Sequence, residues 1–209
     1  MEIRKMIPVI LCLSMFVGVN GCSSDEDDST PEETELTKME FTTSRITAYG
    51  DDWIYFSFKE GKEVNVSEDT HTTDATWDLA FNRYNIRTNS GLSGNGKGGA
   101  YDAGAVEFAS VQSAPTSGYV IDTKYEISDI GTGFPPPTKM STANVELCKA
   151  IGFTGPPPAY TPNEHVYVVK TADGKYAKVI FTSFYDDKGN SGFISFTYAY
   201  QSNGTVSLK

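Results

Sequence analysis

From Lys38 onward the chain is a succession of short runs rich in Tyr, Phe, Val, Ile and Thr, separated by Gly, Asp, Asn and Pro. That pattern predicts an antiparallel β protein. The C-terminal third is clearest. His165 to Lys170 (HVYVVK) leads through Asp173-Gly174 into Tyr176 to Ser183 (YAKVIFTS), and Asp186 to Asn190 (DDKGN) turns the chain into Gly192 to Tyr200 (GFISFTYAY). In the last run Ile194, Phe196, Tyr198 and Tyr200 share one face while Ser195 and Thr197 take the other, so the three runs predict a meander with an apolar inner side. Earlier strands are expected at Glu40–Tyr49, Trp53–Phe58, Glu63–Val66, Thr76–Phe81, Tyr84–Thr88, Ala105–Ala109 and Tyr119–Thr123. A single helix is expected at Thr142–Ile151, capped by Ser141, with Val145, Cys148 and Ile151 on one face and Gly152 just past its end.

The first residues break this pattern. Arg4 and Lys5 precede an apolar run from Ile7 to Val19 that is too short to span a bilayer, as in a signal peptide over residues 1–21. Val19-Asn20-Gly21-Cys22 resembles the lipobox of bacterial lipoproteins, which makes Cys22 the lipidated first residue of the mature chain. Residues 22–37, opening SSDEDD after the cysteine, cannot bury enough apolar surface to fold and read as an acidic tether. Residues 38–209 are then one β domain, long enough for a core of its own. Cys12 leaves with the leader and Cys22 takes lipid, so Cys148 stands alone without a disulfide partner and is expected to be a small buried hydrophobe.

Charge narrows the function. The chain carries 27 acidic and 17 basic residues, and loss of Glu2, Arg4 and Lys5 with the leader leaves 26 against 15, a formal charge of −11. Without clustered Lys and Arg, nucleic acid is not an expected partner, and membrane attachment must come from the lipid. Gly94 to Gly99 (GNGKGG) fits a dinucleotide-binding pattern, and Gly91 to Lys97 fits most of a phosphate loop. Neither opens a helix, so the stretch reads as a glycine-rich connection. His71 and His165 have no metal-binding spacing, no GxSxG elbow occurs, and no catalytic constellation emerges, so an enzyme is not expected.

One stretch is specific. Trp77 to Ala100 (WDLAFNRYNIRTNSGLSGNGKGGA), with Trp77-Asp78, Arg83-Tyr84, Arg87, Asn89 and the glycines from Gly91 to Gly99 in register, resembles the hallmark of the HmuY family of bacterial haem-binding lipoproteins. Trp53 to Phe58 before Val64-Asn65-Val66, Ala172-Asp173-Gly174 through Phe181, and Phe196-Thr197-Tyr198 followed by Tyr200 agree with it. The resemblance implies an all-β, mainly antiparallel fold of two sheet lobes that holds haem between projecting loops. It also implies delivery of haem to an uptake receptor, with a TonB-dependent outer-membrane receptor and host haemoproteins as partners. The acidic run behind Cys22 resembles the surface-export signal of lipoproteins in bacteria carrying this family, which places the protein on the outer membrane, facing outward.

In the family, axial ligands lie on loops between the middle strands and the C-terminal meander, as histidines in one branch and methionine in others. This chain has no histidine pair there. Met140, on the loop Gly131–Ser141, is the resemblance's candidate iron ligand, and its thioether should favour ferrous haem. On the second loop, Ile151–His165, Tyr160 and His165 are candidates for the other axial position. Phe134, Phe153 and Tyr160 are expected to cover the porphyrin, and Lys139 to pair a propionate. Three-proline runs at Pro135–Pro137 and Pro156–Pro158 stiffen both loops. The competing expectation is a surface lipoprotein of the same fold that binds another planar ligand or a partner protein.

Overall fold

The computed structural model describes residues 35–46, 52–128 and 137–209. The leader, Cys22, most of the tether, and Phe134 with its neighbouring prolines Pro135 and Pro136 lie outside the described residues.

The meander forms as its alternation demands. Strands β11 (Val166–Lys170), β12 (Tyr176–Tyr185) and β13 (Ser191–Gln201) are consecutive neighbours in a five-stranded sheet. That sheet is completed by β1 (Lys38–Thr42) against β13 and by β6 (Gly99–Asp102) against β11. A four-stranded sheet has the order β3 (Lys62–Val64), β2 (Ile54–Ser57), β4 (Leu79–Asn82), β5 (Asn85–Thr88). All pairings are antiparallel.

Phe56, Phe58, Leu79, Phe81 and Ile86 from the smaller sheet meet Tyr167, Val179, Phe181, Ile194, Phe196 and Tyr198 from the larger in one core. Phe56 sets its ring edge-on to Phe196 and Tyr198 at 5.2 and 5.7 Å, the geometry that aromatic quadrupoles favour. Every residue of β4 and β5 is buried, because the outer face of the smaller sheet is also covered: Trp53, Tyr55, Trp77 and Ala80 form a second cluster there.

Two hairpins project from this body: β7 (Thr123–Ser128) with β8 (Thr138–Ala143), and β9 (Ile151–Thr154) with β10 (Ala159–Pro162). The sequence predicts loops at Gly131–Ser141 and Ile151–His165, but Thr138–Ser141 pairs with Tyr125–Ser128 within the first hairpin, and most of the second segment folds on itself as β9 and β10.

The helix expected at Thr142–Ile151 is a single 3-10 turn, Leu147–Lys149. Thr142 and Ala143 are claimed by pairing with Lys124 and Thr123, and Ile151 by β9. Asn144, not Ser141, caps the turn, its Oδ1 accepting the N–H groups of Glu146 and Leu147 at 3.2 Å.

Ala105–Ala109 is not a strand. Gly104, at φ 86°, carries the chain off the sheet into a 3-10 turn at Phe108–Ser110. Tyr119–Thr123 supplies only a bridge from Val120 to Ala100 before β7 begins.

Candidate functional site

Arg87, on β5, organises the ground between the smaller sheet and the first hairpin. Its side chain is 4% exposed. Nε donates to the Thr142 carbonyl at 3.0 Å, Nη2 to the Ser141 hydroxyl at 3.2 Å and Nη1 to Glu68 at 2.8 Å. The guanidinium also lies over the Trp53 ring, 3.7 Å from its centre. Glu68 accepts a further hydrogen bond from the Tyr55 hydroxyl at 2.5 Å, and burial together with this bond pushes the Tyr55 pKa upward. The Glu68 carbonyl accepts from Nδ1 of His71 at 2.5 Å, and the His71 carbonyl in turn accepts from Trp77 Nε1 at 3.0 Å. One chain of polar contacts thus ties β8 to the turn carrying His71.

Between them opens a cleft of about 460 Å³, lined by His71, Arg87, Leu92, Lys124, Met140 and Thr142 among others. That volume falls within the range of small-molecule sites. Met140 is 64% exposed and Leu92 53%, so two large apolar side chains stand in solvent at its rim. Cross-strand pairing sets Met140 opposite Glu126 and Thr142 opposite Lys124 on one hairpin face. Lys139, opposite the buried Ile127, falls on the other face, so the lysine lining the Met140 cleft is Lys124.

The second hairpin carries a separate aromatic shelf. Phe153, 49% exposed, stacks on Tyr84 at 5.9 Å and 9°, and lies 5.3 Å from Tyr160. Tyr160 packs on Phe184 at 4.3 Å, and its N–H donates to the Tyr185 hydroxyl. Phe153 and Tyr160 therefore stand together, but neither lines the Met140 cleft. His165 sits just before β11, where its Nδ1 contacts the Asp102 carboxylate at 2.9 Å, away from that cleft. Among the described residues no group of three or more His, Cys, Asp or Glu side chains is placed to hold a metal ion.

The sequence reading did not select His71, Arg87 or Lys124. Arg87 lay within the hallmark stretch without a role. His71 has no metal-binding spacing in the sequence, and it precedes the hallmark stretch that holds it, since the Trp77 side chain bonds back to its carbonyl.

The glycines of the hallmark pack around Asn89. Asn89 Nδ2 donates to the carbonyls of Asp74 and Trp77, and its Oδ1 accepts from the Gly96 N–H. A Cβ at Gly94, Gly96 or Gly98 would stand 2.1, 2.5 or 2.6 Å from an Asn89 oxygen. Close packing, not phosphate, explains this motif. Asp78 and Asp122 are buried clasps. Asp78 accepts from the Phe58 and Ala172 N–H groups at 2.8 and 2.9 Å, and burial pushes its pKa up to about 6. Asp122 accepts from the Thr88 N–H and hydroxyl and from Asn144, and burial raises its pKa as well.

Comparison with known proteins decides the kinship. The family model described as HmuY protein matches residues 49–198, from just before β2 to most of β13. The chain belongs to the HmuY family. Solved HmuY-like structures share its fold. The apo HmuY analog of Tannerella forsythia aligns with a TM-score of 0.63 at 23% identity, over 80% of this chain and 97% of that one. A Bacteroides vulgatus protein described as HmuY-like and heme binding gives 0.60 at 26% identity, over 77% and 90%. Apo PinO from Porphyromonas gingivitis gives 0.60 at 20%, over 80% and 97%. No curated protein matches the chain. Among the described residues the chain is all-β, with four antiparallel sheets and no long helix, and it shares this fold with those HmuY-like structures.

Proposed function

We propose that this HmuY-family chain is a haem-binding surface lipoprotein that engages haem iron through Met140 and passes the haem to an uptake receptor. The observation that carries this reading is Met140 itself. A methionine is ordinarily a flexible filler of cores, and here it stands 64% exposed on the rim of a cleft. The donor set suits the cargo: a soft thioether for iron, the exposed Leu92 for a porphyrin edge, and Lys124 for a propionate. The family match and the Bacteroides vulgatus protein described as heme binding support haem as the ligand class. In this proposal the leader is removed, Cys22 carries lipid, the acidic segment is a tether, and the domain is displayed outward from the outer membrane. A TonB-dependent receptor and host haemoproteins are the partners of that role.

The test is a haem titration of the full chain in detergent, under air and after dithionite, with Met140→Ala alongside. The reading expects a Soret shift, tighter binding of ferrous haem, and about tenfold or greater weakening by the substitution. No Soret change in either redox state would replace haem with the competing ligand classes, another planar molecule or a partner protein. Protease treatment of intact cells tests display, which requires the domain to be cleaved while cells remain whole.

A further inference from the structure

We propose that His71 is the second iron ligand of the Met140 cleft, so that the haem is held by one imidazole and one thioether. The inference rests on the haem reading above and adds a residue to it.

Its first support is position: His71 and Met140 line the same cleft, one from the turn before Trp77 and the other from β8. Its second is the state of the ring. A carbonyl can only accept, so the contact between Nδ1 and the Glu68 carbonyl places the ring hydrogen on Nδ1. In the neutral imidazole this tautomer leaves the lone pair on Nε2, the nitrogen a metal would take. A ligating histidine is usually oriented in this way, with its remote N–H on a carbonyl that fixes the tautomer.

Its third support is rigidity. The turn is closed by the Thr70 N–H on Ser67 and the Asp74 N–H on Thr70. The ring sits 6.2 Å from Tyr55 and 6.4 Å from Trp77, and the His71 carbonyl is held by the Trp77 indole. Met140 is the opposite case, an exposed side chain with freely turning bonds that can close on iron after the imidazole has bound. Arg87 sets the spacing between the two, since it bonds Glu68 on the His71 side and Ser141 and Thr142 on the Met140 side.

The chain has only two histidines, which makes the assignment separable. Ferric haem is added to full-length protein in detergent carrying ¹⁵N-histidine in a His165→Gln background, and nitrogen couplings to the iron are read by pulsed electron paramagnetic resonance. Visible spectra are taken in parallel for His71→Ala, His71→Gln and Met140→Ala. The proposal expects a low-spin ferric spectrum with a far-red sulfur-to-iron band and a ¹⁵N coupling from His71. It expects conversion to high spin with about tenfold or greater weaker binding in both His71 variants, and return of low spin when imidazole is added to His71→Ala. His71→Gln keeps a donor for the Glu68 carbonyl, so a folding defect confined to the alanine variant does not confuse the result. Met140-dependent binding with no ¹⁵N coupling and unchanged spectra in both His71 variants overturns the His71 assignment alone. Absence of any Soret change in the parent chain overturns the haem reading and this inference together.

Discussion

The guanidinium carbon of Arg87 stands 3.7 Å from the centre of the Trp53 ring while its three nitrogens are bonded to Glu68, Ser141 and Thr142. A planar cation is required here, because a lysine ammonium cannot lie flat on the indole and also reach three acceptors. Arg87→Ala is expected to cost about 2–3 kcal/mol, less than a fully buried ion pair because the Glu68 side chain is 43% exposed. Arg87→Lys should recover less than half of that loss. Urea unfolding measures both, and hydrogen exchange in β8 should rise in each. A loss below about 1 kcal/mol for the alanine variant would show that Arg87 does not hold the hairpin.

Two glycines separate crowding from backbone strain. Gly98 is not among the positive-φ glycines, but an added Cβ would lie 2.6 Å from the Asn89 carbonyl oxygen. Gly104 has φ 86° and open space around the added atom. Gly98→Ala should therefore cost about 3 kcal/mol and Gly104→Ala about 1 kcal/mol. Equilibrium unfolding of the two variants gives the comparison directly, and the reverse order would be incompatible with the packing around Asn89.

Much of this packing was legible in the sequence, and the reasons differ by element. The meander was readable because its alternation and its Asp173-Gly174 turn specify the same pairing. Trp77, Asp78 and Asn89 were visible as a motif, although only the fold reveals that the glycines pack on Asn89. The two hairpins were not readable. Thr138–Ala143 is largely polar, and Ala159–Pro162 ends in proline, so neither has the apolar alternation that marks a half-buried strand. Val145, Cys148 and Ile151 do have helical spacing, but β-pairing claims the residues on both sides of that turn. The pairing of His71 with Met140 in one cleft was out of reach for a similar reason. It depends on how β8 sits against the turn before Trp77, and no local pattern encodes that.

Asp78 should impose a pH dependence on stability. Burial raises its folded-state pKa to about 6 against an ordinary value of 3.8, so the native state holds the proton more tightly than the unfolded chain. The resulting stabilisation is complete below pH 3.8 and is lost as pH rises through about 6. The span corresponds to about 3 kcal/mol. Asp173 and Asp186, whose pKa values are lowered, act with the opposite sign at lower pH. Asp78→Asn isolates the effect: the difference in unfolding free energy between parent and variant should change between pH 4 and 6.5 and be flat above it. A difference that is flat across this range would mean that the Phe58 and Ala172 N–H groups keep Asp78 ionised.

Cys148 should report global unfolding. It is 8% exposed, burial pushes its thiol up to about 12, and its sulfur both accepts from the Ile86 N–H at 3.4 Å and donates to the Ile86 carbonyl at 3.7 Å. At pH 8 a thiol with that pKa is ionised in about one molecule in ten thousand, and in the native state the reagent has little access to it. Iodoacetamide should therefore modify Cys148 only through the unfolded population, with a rate that rises in proportion to that population as urea is added. Peptide mapping by mass spectrometry separates its modification from that of Cys12 or Cys22. Removing the sulfur leaves the Ile86 N–H buried without a partner, so Cys148→Ala should cost about 1–3 kcal/mol. Cys148→Ser, which restores both an acceptor and a donor in a similar volume, should cost less. Rapid native-state modification at pH 8, or a serine variant less stable than the alanine one, would mean that the thiol is neither enclosed nor needed by the Ile86 backbone.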